Sequence, residues 1–305
     1  MAKKNRKEKE QLPAGMSRRQ AKLAARAAER AANERDPRPF GDVKSEADLI
    51  ALQEFVPSAT AKIDVTGVDR DVYLCTVLPG GTAAIVREES EGGDAFVALQ
   101  IGSRSHNPHR DLAFALRWLQ DAAPGQQLVS VAADGTEPAL AELFDVSQPL
   151  EIQRFDDFNW WLPEGTELSP EHAQAIKVAN DNVMPSHRID ADIKGAVWWI
   201  DAGDKAYIRW VRPEDEDKVL RALARIAAKG ELKLGEETKF AGVFRTHGVA
   251  VPVWDLDPTR SHTTYKDELL ALDKKIVTEL DNDAQLTPEE RRQLQNIQSR
   301  QVTIR

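Results

Sequence analysis

Several absences narrow this chain before any motif is found. It holds one cysteine in 305 residues, Cys75, so no intramolecular disulfide can form and a reducing, cytoplasmic setting is expected. Cys75 lies in the apolar run Val72–Leu78 and reads as a small core residue rather than a nucleophile. No run of 18 apolar residues occurs, so no membrane span is expected. The basic start is not followed by the apolar stretch of a secretory signal. Neither G-x-x-x-x-G-K-[ST] nor a G-x-G-x-x-G following a strand is present. The backbone amides and lysine that hold β- and γ-phosphates therefore have no source, and a nucleotide-driven motor is not expected. Leu234-Gly235-Glu236-Glu237 is too acidic to replace them.

What is present is a sharp division of charge. Residues 1–35 carry eleven Lys/Arg against four acids, a net of +7, while the remainder, with 30 Lys/Arg and 46 Asp/Glu, carries −16. A basic arm on an acidic body points to an anionic partner such as RNA, the ribosome or another polyanion. Lys3, Lys4, Arg6, Lys7, Arg18, Arg19, Lys22 and Arg26 are the candidate contacts. The competing reading of the arm is a solubilising tail. Residues 1–15 lack periodicity and are expected to be unstructured. The run from Arg18 to about Ala32, behind a Ser17–Gln20 capping box, has high helix propensity but one large apolar residue, Leu23. Asp36-Pro37-Arg38-Pro39-Phe40-Gly41 reads as a linker.

The body predicts an α+β fold of two related sheet-and-helix units, 44–164 and 165–258, with residues 1–43 as arm and linker and 259–305 as a C-terminal helical hairpin. In the first unit, a helix from Ser45 ends before Pro57. Apolar segments Ala61–Val65, Val72–Leu78, Ala83–Val86 and Ala95–Ile101 predict strands, the second and third joined as a hairpin at Pro79-Gly80-Gly81. Asn107-Pro108 opens a helix through Leu119. A strand at Gln127–Val131, a helix at Pro138–Phe144 and a strand from Leu150 toward Phe158–Leu162 complete the unit.

A helix from Ser169 to about Asn180 leads into the second. There Ala196–Ile200 and Tyr207–Val211 form a hairpin, and a helix from Pro213 stops at Gly230. A short strand at Leu232–Leu234, a helix at Glu236–Phe244 closed by His247-Gly248, and Ala250–Leu256 follow. The match between Phe158–Leu162 and Pro252–Leu256 suggests an internal duplication. Leucines at helical spacing from Leu269 to Leu280, and Thr287-Pro288-Glu289-Glu290 opening the next helix, predict the terminal hairpin.

The search for chemistry yields two candidate sites. Arg104, Ser105, His109 and Arg110 cluster at a helix start and could hold an anion. His106 and His109 have metal-ligand character, but the flanking arginines oppose a cation, and neither a metal nor a cofactor is expected. Trp160-Trp161 and Trp198-Trp199 are adjacent pairs on predicted strands, so one of each must face away from its own core. Trp161 and Trp198 are the candidate partner surface, which makes a protein–protein adaptor the alternative function. An enzyme centred on residues 103–110 is a further one. His247 reads as capping a helix end.

Met16-Ser17-Arg18-Arg19-Gln20-Ala21-Lys22-Leu23-Ala24-Ala25-Arg26, Glu54-Phe55-Val56-Pro57-Ser58-Ala59-Thr60-Ala61 and Val251-Pro252-Val253-Trp254-Asp255-Leu256 together resemble an actinobacterial family of unknown function. The resemblance spans nearly the whole chain and implies no catalytic residue. Some relatives carry the labels preprotein translocase SecA or topoisomerase II. This chain is too short for either and lacks the nucleotide-binding loop each requires.

Overall fold

The computed structural model describes residues 34–300, apart from 164, 166 and 167, together with Arg19, Leu23 and the backbone of 302–303. Helix α1 (Glu46–Glu54) organises the rest. Its apolar residues are spread around the helix rather than along one stripe, and it accordingly buries Ala47, Leu49, Ile50, Ala51 and Leu52 along with Glu46 and Gln53. It lies against the second sheet, and its side chains share one continuous core with both sheets.

The first sheet has six strands in the order β5-β3-β4-β2-β1-β6. These are β1 (Ala59–Ile63), β2 (Val72–Cys75), β3 (Ala84–Val86), β4 (Ala95–Ala98), β5 (Gln127–Leu128) and β6 (Ile152–Arg154). One face carries Leu74, Val86 and Val97 into the core around α1, where α2 (Pro108–Leu119) and α3 (Leu140–Leu143) also pack. The opposite face presents Cys75, Ile85, Phe96 and Ala98, a small separate cluster beneath Trp160 and Trp161. The period-two alternation of a strand produces the split. Helix α4 (Pro170–Asp181) follows on this outer side.

The second sheet runs β12-β10-β11-β9-β8-β7, with β7 (Ser186–Arg188), β8 (Ala196–Asp201), β9 (Ala206–Val211), β10 (Lys239–Thr246), β11 (Val249–Leu256) and β12 (Val302–Thr303). In β8, Ala196, Trp198 and Ile200 enter the shared core. Val197 and Trp199 point the other way, into a core built with α5 (Glu216–Ala228), α6 (Lys266–Leu280) and α7 (Pro288–Ser299). The α+β class and the terminal helical hairpin are therefore as the sequence predicts. The hairpin folds back, with both helices packed on α5.

Several local expectations are overturned. Pro79–Gly81 is a 3-10 turn and not a hairpin, because β4 inserts between β2 and β3, parallel to β2. Phe158–Leu162 is not a strand: Asp157 accepts from the Asn159 N–H at 2.9 Å and tightens Asn159–Trp161 into a 3-10 turn. Residues 239–246 form β10 rather than a helix, since Phe240, Val243 and Phe244 pair along β11 and that long-range ladder overrides an ambiguous apolar spacing. Leu232–Leu234 forms no strand and instead anchors a loop through two buried leucines. The strand at 127 stops at Leu128, and Val129 is exposed.

The two sheets share the order edge, first, second, fourth and third strand of their set, but β2 and β4 are parallel where β9 and β11 are antiparallel. The helix also falls after β4 in one and between β9 and β10 in the other.

Candidate functional site

The N-terminal segment does not pass over the body as a free linker; it is docked at the seam between the sheets. Pro39 and Phe40 are buried, and the Phe40 ring meets the His247 ring edge-on at 5.7 Å. Arg38 forms a bidentate pair with Glu46 at 2.7 and 2.8 Å and also donates to the Pro213 carbonyl. Asn107, expected as a helix cap, makes no side-chain bond to its own helix. Its Oδ1 accepts from the Asp36 N–H at 2.8 Å, and its Nδ2 donates to the Glu34 carbonyl at 3.0 Å. The root of the basic arm is thus tied to the loop that carries the candidate anion residues.

His247 and Gly248 form the two-residue turn joining β10 to β11, both with positive φ (49° and 78°). That is the backbone of a tight antiparallel hairpin and corrects the expected helix end. A Cβ on Gly248 would lie 2.2 Å from the Pro37 carbonyl oxygen, so the arm root passes where only glycine leaves room. His247 Nε2 meets Glu54 Oε1 at 2.8 Å, 193 residues apart in sequence. Arg104 donates to the same oxygen at 3.3 Å. Burial pushes the Glu54 carboxyl up, but His247 and Arg104 outweigh it and hold the group below its ordinary range. Around these groups lies a crevice of ≈ 30 Å³, about the space of one water molecule, lined by Arg35, Asp36, Glu54, Arg104, His106 and His247.

Of the candidate anion residues, Arg104 is therefore spent on Glu54. The Ser105 N–H donates to Asp111 Oδ2 at 2.8 Å, and Ser105 Oγ accepts from the Asn107 N–H. His109 faces Asp36 at 3.8 Å; burial holds its imidazole below the usual pKa, partly offset by that carboxylate. Arg110 is half-buried on the first turn of α2. The loop is a lattice of internal pairs beside the arm root. Three buried polar atoms here, Gln53 Oε1, His109 Nδ1 and Asp111 Oδ1, have no hydrogen-bond partner in the protein. Among the described residues no three His, Cys, Asp or Glu converge as a metal set, and no hydroxyl or thiol bonds to His247.

Of the arm residues, Arg19 is exposed in a helical position, whereas Lys3, Lys4, Arg6, Lys7, Arg18, Lys22 and Arg26 lie outside the described residues. The tryptophan surface needs correction. Trp198 is 0 % exposed, because the second sheet is covered on both faces and its inward residues meet α1 and the first sheet. Trp161 is half-buried, edge-on to Phe96 at 5.2 Å. Glu54 and Arg87 escaped the sequence reading. Glu54 looks like a helix-terminal charge, and Arg87 opens the run Arg87-Glu88-Glu89 that resembles a solvated face.

Two six-stranded sheets around a shared buried helix, with a docked arm root at their seam, define an α+β scaffold. Among the described residues no helix is long and apolar enough to cross a membrane. The chain belongs to a family of unknown function, DUF5926, whose model matches residues 39–305. The match begins at Pro39, at the docked arm root. No curated protein and no solved structure matches the chain.

Proposed function

We propose that the protein is a cytoplasmic, non-enzymatic binding protein that engages RNA through its basic arm. What supports this reading is the net +7 of residues 1–35 against −16 on the rest, joined to the place where the arm is rooted. Asn107 fixes Glu34 and Asp36 beside Arg104 and His106, so an anionic chain held by the arm would run onto a polar edge of the body. Phosphate contacts with Lys and Arg would supply most of the affinity and little sequence preference. The adaptor reading gains nothing from the terminal helices, whose apolar residues Leu269, Leu272, Ile276 and Ile297 are buried against the body.

The test is a salt titration of a labelled single-stranded RNA, comparing the full chain with one beginning at residue 34. The expected slope of log K against log salt for the full chain is roughly −5, at about −0.7 per neutralised phosphate. The shortened chain should lose at least about tenfold in affinity and most of that slope. Equal binding by the two chains, or an affinity indifferent to salt, would overturn the reading.

A further inference from the structure

The outer face of the first sheet carries a second site with different chemistry. Leu78, Pro79, Trp160, Trp161, Ile176 and Ala179 line a groove of ≈ 300 Å³. A neighbouring hollow of ≈ 430 Å³ shares Pro79, Trp161 and Ile176 with it and reaches Arg87. Volumes of this order suit a small molecule, the groove being walled by aromatic and aliphatic side chains and the hollow adding Arg87, Glu88, Glu91, Gln127 and His172 at its rim. The roof is α4, a helix of 12 residues that buries none of them. Its C-terminal end is tied down by Asn180, which accepts from the Phe158 N–H at 2.8 Å and donates to Asn159 Oδ1 at 3.1 Å. The apolar residues Ile176 and Ala179 face the groove and not a packed core.

Arg87 supplies the polar end. Its guanidinium lies 4.6 Å from the Phe96 ring centre and 4.8 Å from that of Trp161, and it donates to the Trp161 carbonyl. The rings and that carbonyl fix the plane of the group. Among the described residues no carboxylate lies within 4.0 Å of it, while Arg38, Arg104, Arg188, Arg212 and Arg260 each have one. Asp94 and Glu91 act on it only from beyond ion-pair distance. A half-buried, oriented guanidinium with no close carboxylate among the described residues, at one end of an apolar groove, is complementary to a carboxylate whose hydrocarbon body fills the rest. Glu88 and Glu91 border the same hollow, which weighs against a doubly charged phosphate and in favour of a singly charged head.

We propose that this groove binds a small carboxylic acid with an apolar body, its carboxylate on Arg87 and its chain between Trp160, Trp161 and α4. The test is calorimetric titration of the full chain with octanoate, octan-1-ol and octyl phosphate. Octanoate should bind about 10- to 100-fold more tightly than octanol, the range for a hydrogen bond to a charged group, and more tightly than octyl phosphate. In Arg87→Gln that advantage should vanish while octanol affinity stays unchanged. Ala175→Trp, on an exposed position of α4 that lines both hollows, should abolish binding of both without changing the melting temperature. No heat with any ligand, equal affinity for acid and alcohol, a preference for the phosphate, or a parallel loss of acid and alcohol in Arg87→Gln would each overturn the proposal.

Discussion

The two sheets are built from similar strands, yet one is sealed on both faces and the other on one. In the second sheet the alternating apolar side chains of β8 find a core on either face: Trp198 faces α1 and the first sheet, and Trp199 faces α5, α6 and α7. In the first sheet the inner face is as well packed, but the outer face relies on a satellite cluster, two half-buried tryptophans and a helix with no buried residue. Stacking two sheets leaves two outer faces to cover. Three amphipathic helices pack a core against one of them, and the loosely covered face is where an aromatic groove occurs beside an arginine with no carboxylate within 4.0 Å among the described residues. The densest packing and the aromatic groove are thus placed on opposite sides of the molecule.

The largest expected effects lie in the sealed half. Trp198→Ala should cost about 3–5 kcal/mol in urea denaturation, because a fully buried indole leaves a cavity in the shared core. Trp161→Ala should cost no more than about 2 kcal/mol, since its ring is partly solvated and its neighbours are fewer. Equal losses would erase the distinction between the faces. Arg212 is fully buried, stacked on Trp210, paired bidentately with Glu214 and also with Asp273. Arg212→Ala strands two acids at the edge of the helical core, and a loss of about 3–5 kcal/mol is expected in the same assay.

Smaller effects sharpen the contrast. Gly248→Ala places a methyl group against Pro37 and should cost about 1–3 kcal/mol, with faster proteolysis at the arm root as the local readout. An unchanged digestion pattern would mean that the root is not held there. Amide exchange should give α4 an opening free energy several kcal/mol below that of β8. Equal protection of the two elements would sink the idea of a loosely held roof.

A pH effect should come from the junction of the sheet edges, where His187 and His262 stack at 3.9 Å with Trp199 beside both. Burial lowers both imidazole pKa values. For His187 the His262 charge and Arg154 add to this and Asp156 opposes it; for His262 Arg154 adds. The unfolded chain therefore takes up protons first. Stability is complete above the ordinary histidine range, near about pH 6.5, and falls as pH drops from there through the folded-state values. Melting temperature should decline between about pH 7.5 and about pH 5.5, and a His187→Gln, His262→Gln double variant should decline less. An identical decline in the two would remove the pair from the account.

Much of the fold was legible because it rests on local rules. An apolar segment between Ser45 and Pro57 gave α1, Thr287-Pro288-Glu289-Glu290 gave the start of α7, and the Trp198-Trp199 doublet required two opposite faces. The errors share one cause. Phe240 to Phe244 fits helix or strand until β11 is seen beside it, and Pro79-Gly80-Gly81 suggests a hairpin until β4 separates the strands. In the Ser103–Arg110 loop the sequence displays the charges but not that Arg104 meets Glu54 and His109 faces Asp36, residues brought there from elsewhere in the chain. Arg87 was missed because a cation next to two glutamates looks solvated in sequence, whereas its rings come from residues 96 and 161.

By itself the sequence determined most of the helices, the absence of a phosphate loop and the separation of a cationic arm from an anionic body, since these depend on residues close in the chain. Only the tertiary structure decided which face of each sheet is covered, that Glu54 and His247 meet, and that Arg87 lies between the rings of Phe96 and Trp161. Those outcomes depend on which strands become neighbours, and that is settled by long-range packing rather than by local conformational preference.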